Sequence, residues 1–298
     1  MWVEWDRLSL DVWLMEDLQR RRSSLNKRLE TVAALANLAT YDSQATRTYV
    51  DGAPHIKHAS LRTLYATLLT QAYDHAAKYS ETPRVLDLGA GEGSATLPLL
   101  ELGARVTAVD VSESQLDALR GKCARFADRL EVRCETTGET LRTRGRQYDI
   151  IVASSFLHHI PDYLGLIRQA ILVLTPHGQF FSFQDPLRYD TVGVITKIFG
   201  DLAYFSWRVF KRDVWGGLKR RLRRRRGLYC ADLPYDNVEY HVTRNGVDQD
   251  AIAVVLTDAG FECEIVRYFS TQSRLCQPLG SAMEMKNTFA VMAKKLPA

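Results

Sequence analysis

Residues 85–94 read Val85-Leu86-Asp87-Leu88-Gly89-Ala90-Gly91-Glu92-Gly93-Ser94. A short apolar run carries one acid and ends in three glycines at alternate positions. The texture is that of a strand turning sharply into a helix. Without a Cβ, the backbone can turn tightly there and come close to a ligand. Such a turn is weak evidence alone, but two details sharpen it. The spacing is G-x-G-x-G, whereas the dinucleotide fingerprint is G-x-G-x-x-G. Gly93 falls one residue early, which disfavours a nicotinamide-dependent oxidoreductase. Further on, Asp110 closes the next apolar run, 17 residues after Gly93. A carboxylate there can accept hydrogen bonds from both hydroxyls of a ribose.

Outward from this turn, strands and helices alternate. Strands are expected at 84–88, 105–109, 130–134, 148–153 and 179–183. Helices are expected at 94–102, 112–126 and 162–174, the second capped by Ser112. Segment 148–153 is nearly all apolar, as befits a strand buried on both faces. The alternation resumes with a helix at 248–259, ending at Gly260, and strands at 261–269 and 288–293. This is an α/β pattern, a doubly wound and mostly parallel sheet of seven strands.

Two segments break the rhythm. Residues 1–80 read as helical, with Leu18, Leu25, Leu29 and Val32 at roughly helical spacing and a helix opening at Pro54 and running to about 78. Residues 187–246 are too long for a plain loop and are rich in aromatics. The expected organisation is therefore a helical N-terminal lid (1–80), a ligand-binding core (81–186), a helical cap insertion after the fifth strand (187–246) and a return to the core sheet (247–298).

The net charge is +4, but residues 219–226 hold seven positive charges in eight positions. Without them, 32 basic residues face 35 acidic ones. The run reads as a solvated face or as a contact for an anionic membrane or other phosphate-bearing partner. Five cysteines with no C-x-x-C pair give no disulfide framework and no zinc site, so no metal is expected. Reduced thiols fit a cytoplasmic protein. Acids interrupt every apolar run near the N-terminus, so no signal peptide is read there. The most apolar long stretch, 191–210, carries Lys197, Asp201 and Arg208 and does not suit a membrane span.

The motifs together resemble the class I S-adenosylmethionine-dependent methyltransferases, strongly over 83–186 and more loosely over 247–298. Val85 to Gly93 resembles the family's first motif, and Val106 to Asp110 its second-strand acid. Tyr148 to His159 resembles the fourth-strand motif, Leu174 to Gly178 the turn before the fifth strand, and Asn287 to Lys294 the closing strand. His177 stands where the family usually has glycine. The resemblance implies S-adenosylmethionine as cofactor. Gly89, Ala90, Gly91 and Gly93 would pass beneath it, Asp87 would organise the turn or meet the ammonium through water, and Asp110 with Val111 would hold the ribose. The carbonyl near Ser154 would meet the methionine ammonium. Adenine would fall to Thr137, the Gly138 backbone or Glu139. Tyr41 and Tyr49 resemble the family's lid aromatics.

A high-pKa oxygen or nitrogen acceptor also needs a base, worth about 10²–10⁴-fold. His158 and His159 follow the fourth strand, with His159 the preferred candidate, and His241 could face the acceptor from the other side. His55 and His58, three apart on a helix, read as a polar or lid face. The absence of an Asn-Pro-Pro-Tyr-like sequence after the fourth strand argues against a nucleic-acid acceptor. The leading expectation is methyl transfer to a small molecule at oxygen or nitrogen. A lipid or membrane-associated acceptor is the alternative, through the aromatic insertion and the arginine run. The plainer and preferred reading of the insertion is a cap helix packed on the core or a homodimer contact. A non-catalytic cofactor-binding protein is the third reading.

Overall fold

The computed structural model describes residues 53–142, 145, 147–210 and 245–296. Tyr41, Tyr49, His241 and the basic run 219–226 lie outside them.

The first helices are α1 (Pro54–Lys57) and α2 (Ala59–Ala77). Then β1 (Arg84–Leu88), α3 (Thr96–Leu102), β2 (Arg105–Asp110), α4 (Glu113–Lys122), β3 (Leu130–Cys134), α5 (Thr137–Arg142) and β4 (Tyr148–Ser154) follow. The chain continues through α6 (Tyr163–Ala170), β5 (Leu174–Pro186), α7 (Val194–Phe210), α8 (Gln249–Asp258), β6 (Phe261–Tyr268), α9 (Cys276–Ala282) and β7 (Thr288–Lys295). The seven strands form one sheet in the order β3-β2-β1-β4-β5-β7-β6. Pairings from β3 through β5 are parallel, and β7 runs antiparallel to both β5 and β6.

The period of two sorts each strand's side chains onto two cores. Val85, Val106, Ala108, Ile150 and Val152 pack with Leu69 of α2, Leu99 of α3 and Leu116 of α4. Leu86, Val109, Ile151 and Phe289 pack on the other face with Leu141 of α5, Ile167 of α6 and Leu256 of α8. Every residue of β4 is buried, which explains its apolar run. At about 1.5–3 kcal/mol for each large apolar side chain, these two layers hold the sheet. Strand order reverses between β1 and β4, and in such sheets ligands bind beyond the carboxyl ends of the strands at that switch point.

Several elements differ from the expected bounds. The helix expected from Pro54 breaks at His58, which is extended (φ −98°, ψ 125°). There His58 Nε2 meets Thr271 O at 2.8 Å and Lys57 Nζ donates to Gln272 O at 2.8 Å, so distant backbone captures the break. The helix expected to reach 174 stops at Ala170, and β5 begins at Leu174, paired with Tyr148 across a register shift. The helix expected to reach 126 stops at Lys122. Helices α5 and α9 were not expected. Gly260 ends α8 in the left-handed region (φ 83°), as a C′ glycine should.

One face of α7 packs on the body, with Ala203 buried, Phe199 5.7 Å from the Phe269 ring, and Ser206 Oγ 3.1 Å from Ser273 Oγ. The other presents Val194, Ile195, Ile198, Leu202, Phe205 and Val209, each at least half exposed among the described residues. No described helix is long and apolar enough to cross a membrane.

Candidate functional site

At the end of β1 the chain leaves the sheet at Gly89. The amides of Gly89 and Ala90 both donate to Val109 O, at 2.9 and 3.0 Å, tying the turn to β2. Gly89 has φ 69°, and a Cβ there would lie 2.2 Å from Phe156 Cδ2. Gly91 has φ 51°. Both positions need glycine, the first for space as well as for backbone freedom.

Asp110 fastens this turn from the neighbouring strand. Its Oδ2 accepts Gly91 N–H at 2.9 Å and its Oδ1 accepts Ser112 N–H at 2.9 Å. Burial pushes Asp110 up, and these amides oppose the shift. Two donors leave acceptor capacity on both oxygens. Asp87 has another task. It is buried beneath the turn, accepts from Thr96 Oγ1 at 2.6 Å, and is pushed up to about 6 by burial. It does not line the cavity above.

That cavity has a volume of about 550 Å³. Its floor includes Gly89, Ala90, Gly91, Gly93, Asp110, Val111, Thr137, Gly138 and Ser154. The structure thus brings every described cofactor-site expectation except Asp87 and Glu139 to the lining of one cavity. Glu139 is absent from it. With Thr136 it forms a capping box for α5, its Oε2 accepting Thr136 N–H at 2.9 Å and Oγ1–H at 2.7 Å, while Glu139 N–H donates to Thr136 Oγ1 at 3.3 Å. Glu135 and Thr136 line the cavity in its place.

Of the two histidines after β4, only His159 lines the cavity. His158 is turned elsewhere, its Nδ1 2.8 Å from Asp185 Oδ1, and burial pushes it down to about 4. The two rings lie 4.0 Å apart.

The opposite wall comes from α1 and α2. The face that His55 and His58 were expected to share does not form, although His55 does line the cavity. Both are buried, and the break at His58 parts them. His55 lines the cavity edge-on to Tyr65 (5.7 Å) and near Phe183 (6.1 Å). Burial pushes it down to about 4, so its imidazole is neutral at physiological pH. Tyr65 lies against Phe183 at 4.6 Å, and its hydroxyl is buried. That hydroxyl sits near Ser94 and Ser154 but meets neither at hydrogen-bonding geometry. His55 Nδ1 and Ser154 Oγ also lack partners. Three buried polar atoms of residues lining this cavity, from α1, α2 and the end of β4, are thus without protein partners.

Tyr65 and Asp185 escaped the sequence reading. Tyr65 stands in register with Leu61, Leu68 and Leu69, an ordinary core stripe. The Thr136-x-x-Glu139 box was the available signal for α5.

Residues 86–180 match the family model described as a methyltransferase domain. The chain is 32% identical over 108 residues to a ubiquinone biosynthesis O-methyltransferase of Methylocella silvestris, covering 36% of this chain and 42% of the relative. It is 29% identical over 106 residues to the Parvibaculum lavamentivorans protein of the same description, again covering 42% of the relative. The match therefore spans well under half the length of these relatives. Among solved structures, the plantazolicin methyltransferase BamL, in complex with a triazolic desmethylPZN analog and SAH, has a TM-score of 0.55 at 12% identity, covering 92% of this chain and 98% of that one. The plantazolicin methyltransferase BpumL in complex with SAH scores 0.53 at 15% identity, covering 92% and 99%. These likenesses establish the fold.

Proposed function

We propose, from the class I S-adenosylmethionine-dependent methyltransferase core that residues 86–180 form, that the chain transfers a methyl group from S-adenosylmethionine to a small, largely apolar acceptor at oxygen or nitrogen. The carrying observation is the convergence of the glycine turn, Asp110 and the start of α5 on one cavity at the strand-order switch point.

The residues fit the cofactor. Gly89 and Gly91 keep the floor free of side chains, and Asp110 keeps acceptor capacity for the ribose. Val111, Ile160 and Leu166 give apolar surface for a base, edged by Thr136, Thr137 and Gly138. Tyr65 and Ser154 carry unpaired hydroxyls where a charged amino-acid end needs partners. When bound, S-adenosylmethionine supplies an electrophilic methyl on a positively charged sulfur. The chain's part is mostly alignment, worth about 7–11 kcal/mol in favourable cases. His159 is the cavity imidazole able to take the acceptor's proton, and the neutral His55 can accept a hydrogen bond from it. Ile56, Leu97 and Pro98 line the same cavity and favour an apolar acceptor body. The ubiquinone O-methyltransferase relatives support an acceptor of that character.

A screen of phenolic and amine acceptors with radiolabelled S-adenosylmethionine tests this. Label transfer to at least one small acceptor, lost in Asp110→Ala, is expected. Label on added protein or nucleic acid alone would reject it.

One observation favours a lipid or membrane-associated acceptor. The apolar stripe of α7 faces outward, and the sequence that follows carries the basic run 219–226. Co-sedimentation with phosphatidylglycerol vesicles that disappears on Leu202→Glu or on changing Arg223 to Arg226 to glutamine supports this reading. Equal recovery with and without vesicles sinks it.

A further inference from the structure

Asp185 lies near the end of β5, fully buried and outside the cavity wall. Its direction is set by a bulge. The β5–β7 register slips between Phe183 and Asp185, and the extra residue, Gln184, sits at φ 68°. A non-glycine residue persists there only when its surroundings hold it in place. Two contacts secure it: Gln184 N–H donates to Tyr268 Oη at 2.9 Å, and Gln184 Nε2 donates to Ser270 Oγ at 2.7 Å. Bulges near sites commonly re-aim a side chain. Here the Asp185 carboxylate meets the loop after β4, where Oδ1 accepts the His158 backbone N–H at 3.1 Å and lies 2.8 Å from His158 Nδ1. Oδ2 is buried without a partner. The same loop holds a second left-handed residue, Ser155 (φ 52°), whose N–H donates to Phe183 O at 2.6 Å. The ends of β4 and β5 are thus joined twice, each time beside a strained backbone.

Packing alone does not call for an acid here. Burial pushes Asp185 up to about 8 and His158 down to about 4, so each partner resists its charge. Neutral acid with neutral imidazole, and carboxylate with imidazolium, hold the same protons, and the pair is net neutral either way. A buried pair maintained against desolvation specifies direction more than stability. The direction leads to the cavity, because the His158 ring packs against His159. The other titratable groups acting on Asp185 are His159 and Tyr268.

We propose that Asp185 is a positioning residue for His159, acting through His158 Nδ1 to fix the His158 tautomer and, through the ring contact, the orientation and basicity of His159. Its importance for chemistry rests on the methyl-transfer reading, although the physical linkage does not.

The test is a pH titration of the imidazoles by proton–nitrogen NMR, on wild type, Asp185→Asn, His158→Phe and the double variant. The His158→Phe change keeps a ring against His159 and removes the nitrogen. In wild type, His158 should hold one tautomer and stay unprotonated from about pH 5 to 8. Each single variant should move the His159 midpoint by about half a pH unit or more, and the double variant no further than the larger single. An unmoved midpoint in either single variant, or additive shifts in the double, overturns the proposal. If Asp185→Asn does not fold, the midpoint in His158→Phe decides alone. S-adenosylhomocysteine added to the wild-type sample separates the two readings. No binding defeats the methyl-transfer reading, whereas binding beside an indifferent His159 defeats only the positioning role.

Discussion

The carboxylate of Asp110 holds the amide of Gly91 at 2.9 Å, so the acid ending the second strand is also the clasp of the glycine turn ending the first. The same side chain holds Ser112 N–H at the start of α4. The glycine turn and the start of α4 are therefore tied at one residue, the acid that the proposed function gives to the ribose. A hydrogen bond to a charged group is worth about 1.5–3 kcal/mol. In Asp110→Ala without ligand, amide exchange at both Gly91 and Ser112 should quicken by about 10–100-fold. Faster exchange at Ser112 alone would show that the turn holds itself.

Gly89→Ala meets two penalties. The left-handed backbone costs a side chain about 1–2 kcal/mol. The new methyl would also lie 2.2 Å from Phe156, an overpacking of about 1–3 kcal/mol. Urea unfolding should show a loss of about 2–5 kcal/mol. Made in a Phe156→Ala background, Gly89→Ala should cost less than it does in wild type, because the overpacking part of its penalty is then gone. An equal cost in the two backgrounds would mean that Phe156 is not what crowds this position.

Asp87 makes stability depend on pH. Its folded pKa, about 6, lies above its ordinary value of 3.8, so the folded chain prefers the protonated form. That contribution is complete below pH 3.8 and disappears as the pH rises through about 6. Full ionisation costs about 3 kcal/mol. Asp87→Asn keeps an oxygen for Thr96 and has no charge to bury. Its stability relative to wild type should therefore climb between pH 4 and 7 by up to about 3 kcal/mol, then level off. A difference that stays flat across urea titrations at pH 4, 5.5 and 7 would sink the assignment.

Tyr65→Phe should separate stability from binding. A buried hydroxyl without a partner costs about 1–3 kcal/mol, so its removal should raise the unfolding free energy by about 1 kcal/mol. Affinity for S-adenosylhomocysteine should fall, because the same hydroxyl faces the ligand cavity. Affinity for methylthioadenosine, which lacks the amino-acid end, should not. Equal losses for both ligands would place the hydroxyl's partner elsewhere.

The site was legible in the sequence where its chemistry is local. The glycine spacing, Asp87 before it and Asp110 at the next strand end are readable because turn and strand end lie within one βαβ unit. Asp87 is open between two tasks in the sequence, and what the structure adds is its contact with Thr96 at the start of α3, away from the cavity lining. The break at His58 depends on Thr271, 213 residues away, and no local signal announces it. The pairing of His158 with Asp185 spans 27 residues and depends on a bulge at Gln184, a residue without turn chemistry. The start of β5 is hidden because Pro176 and Gly178 read as a turn; Leu174 pairs with Tyr148 ahead of them, and after a register shift the pairing resumes at Gln179. Tyr65 was concealed because a helical stripe looks the same whether it faces a core or a cavity.

Calorimetric titration with S-adenosylhomocysteine, with NAD as control, on wild type and Asp110→Ala tests the central claim most directly. Binding of the nucleoside at about micromolar Kd, no heat from NAD, and a loss of tenfold or more in the variant are expected. Binding of NAD instead, or nucleoside binding indifferent to Asp110, would contradict a cofactor site built on the glycine turn and the second-strand acid.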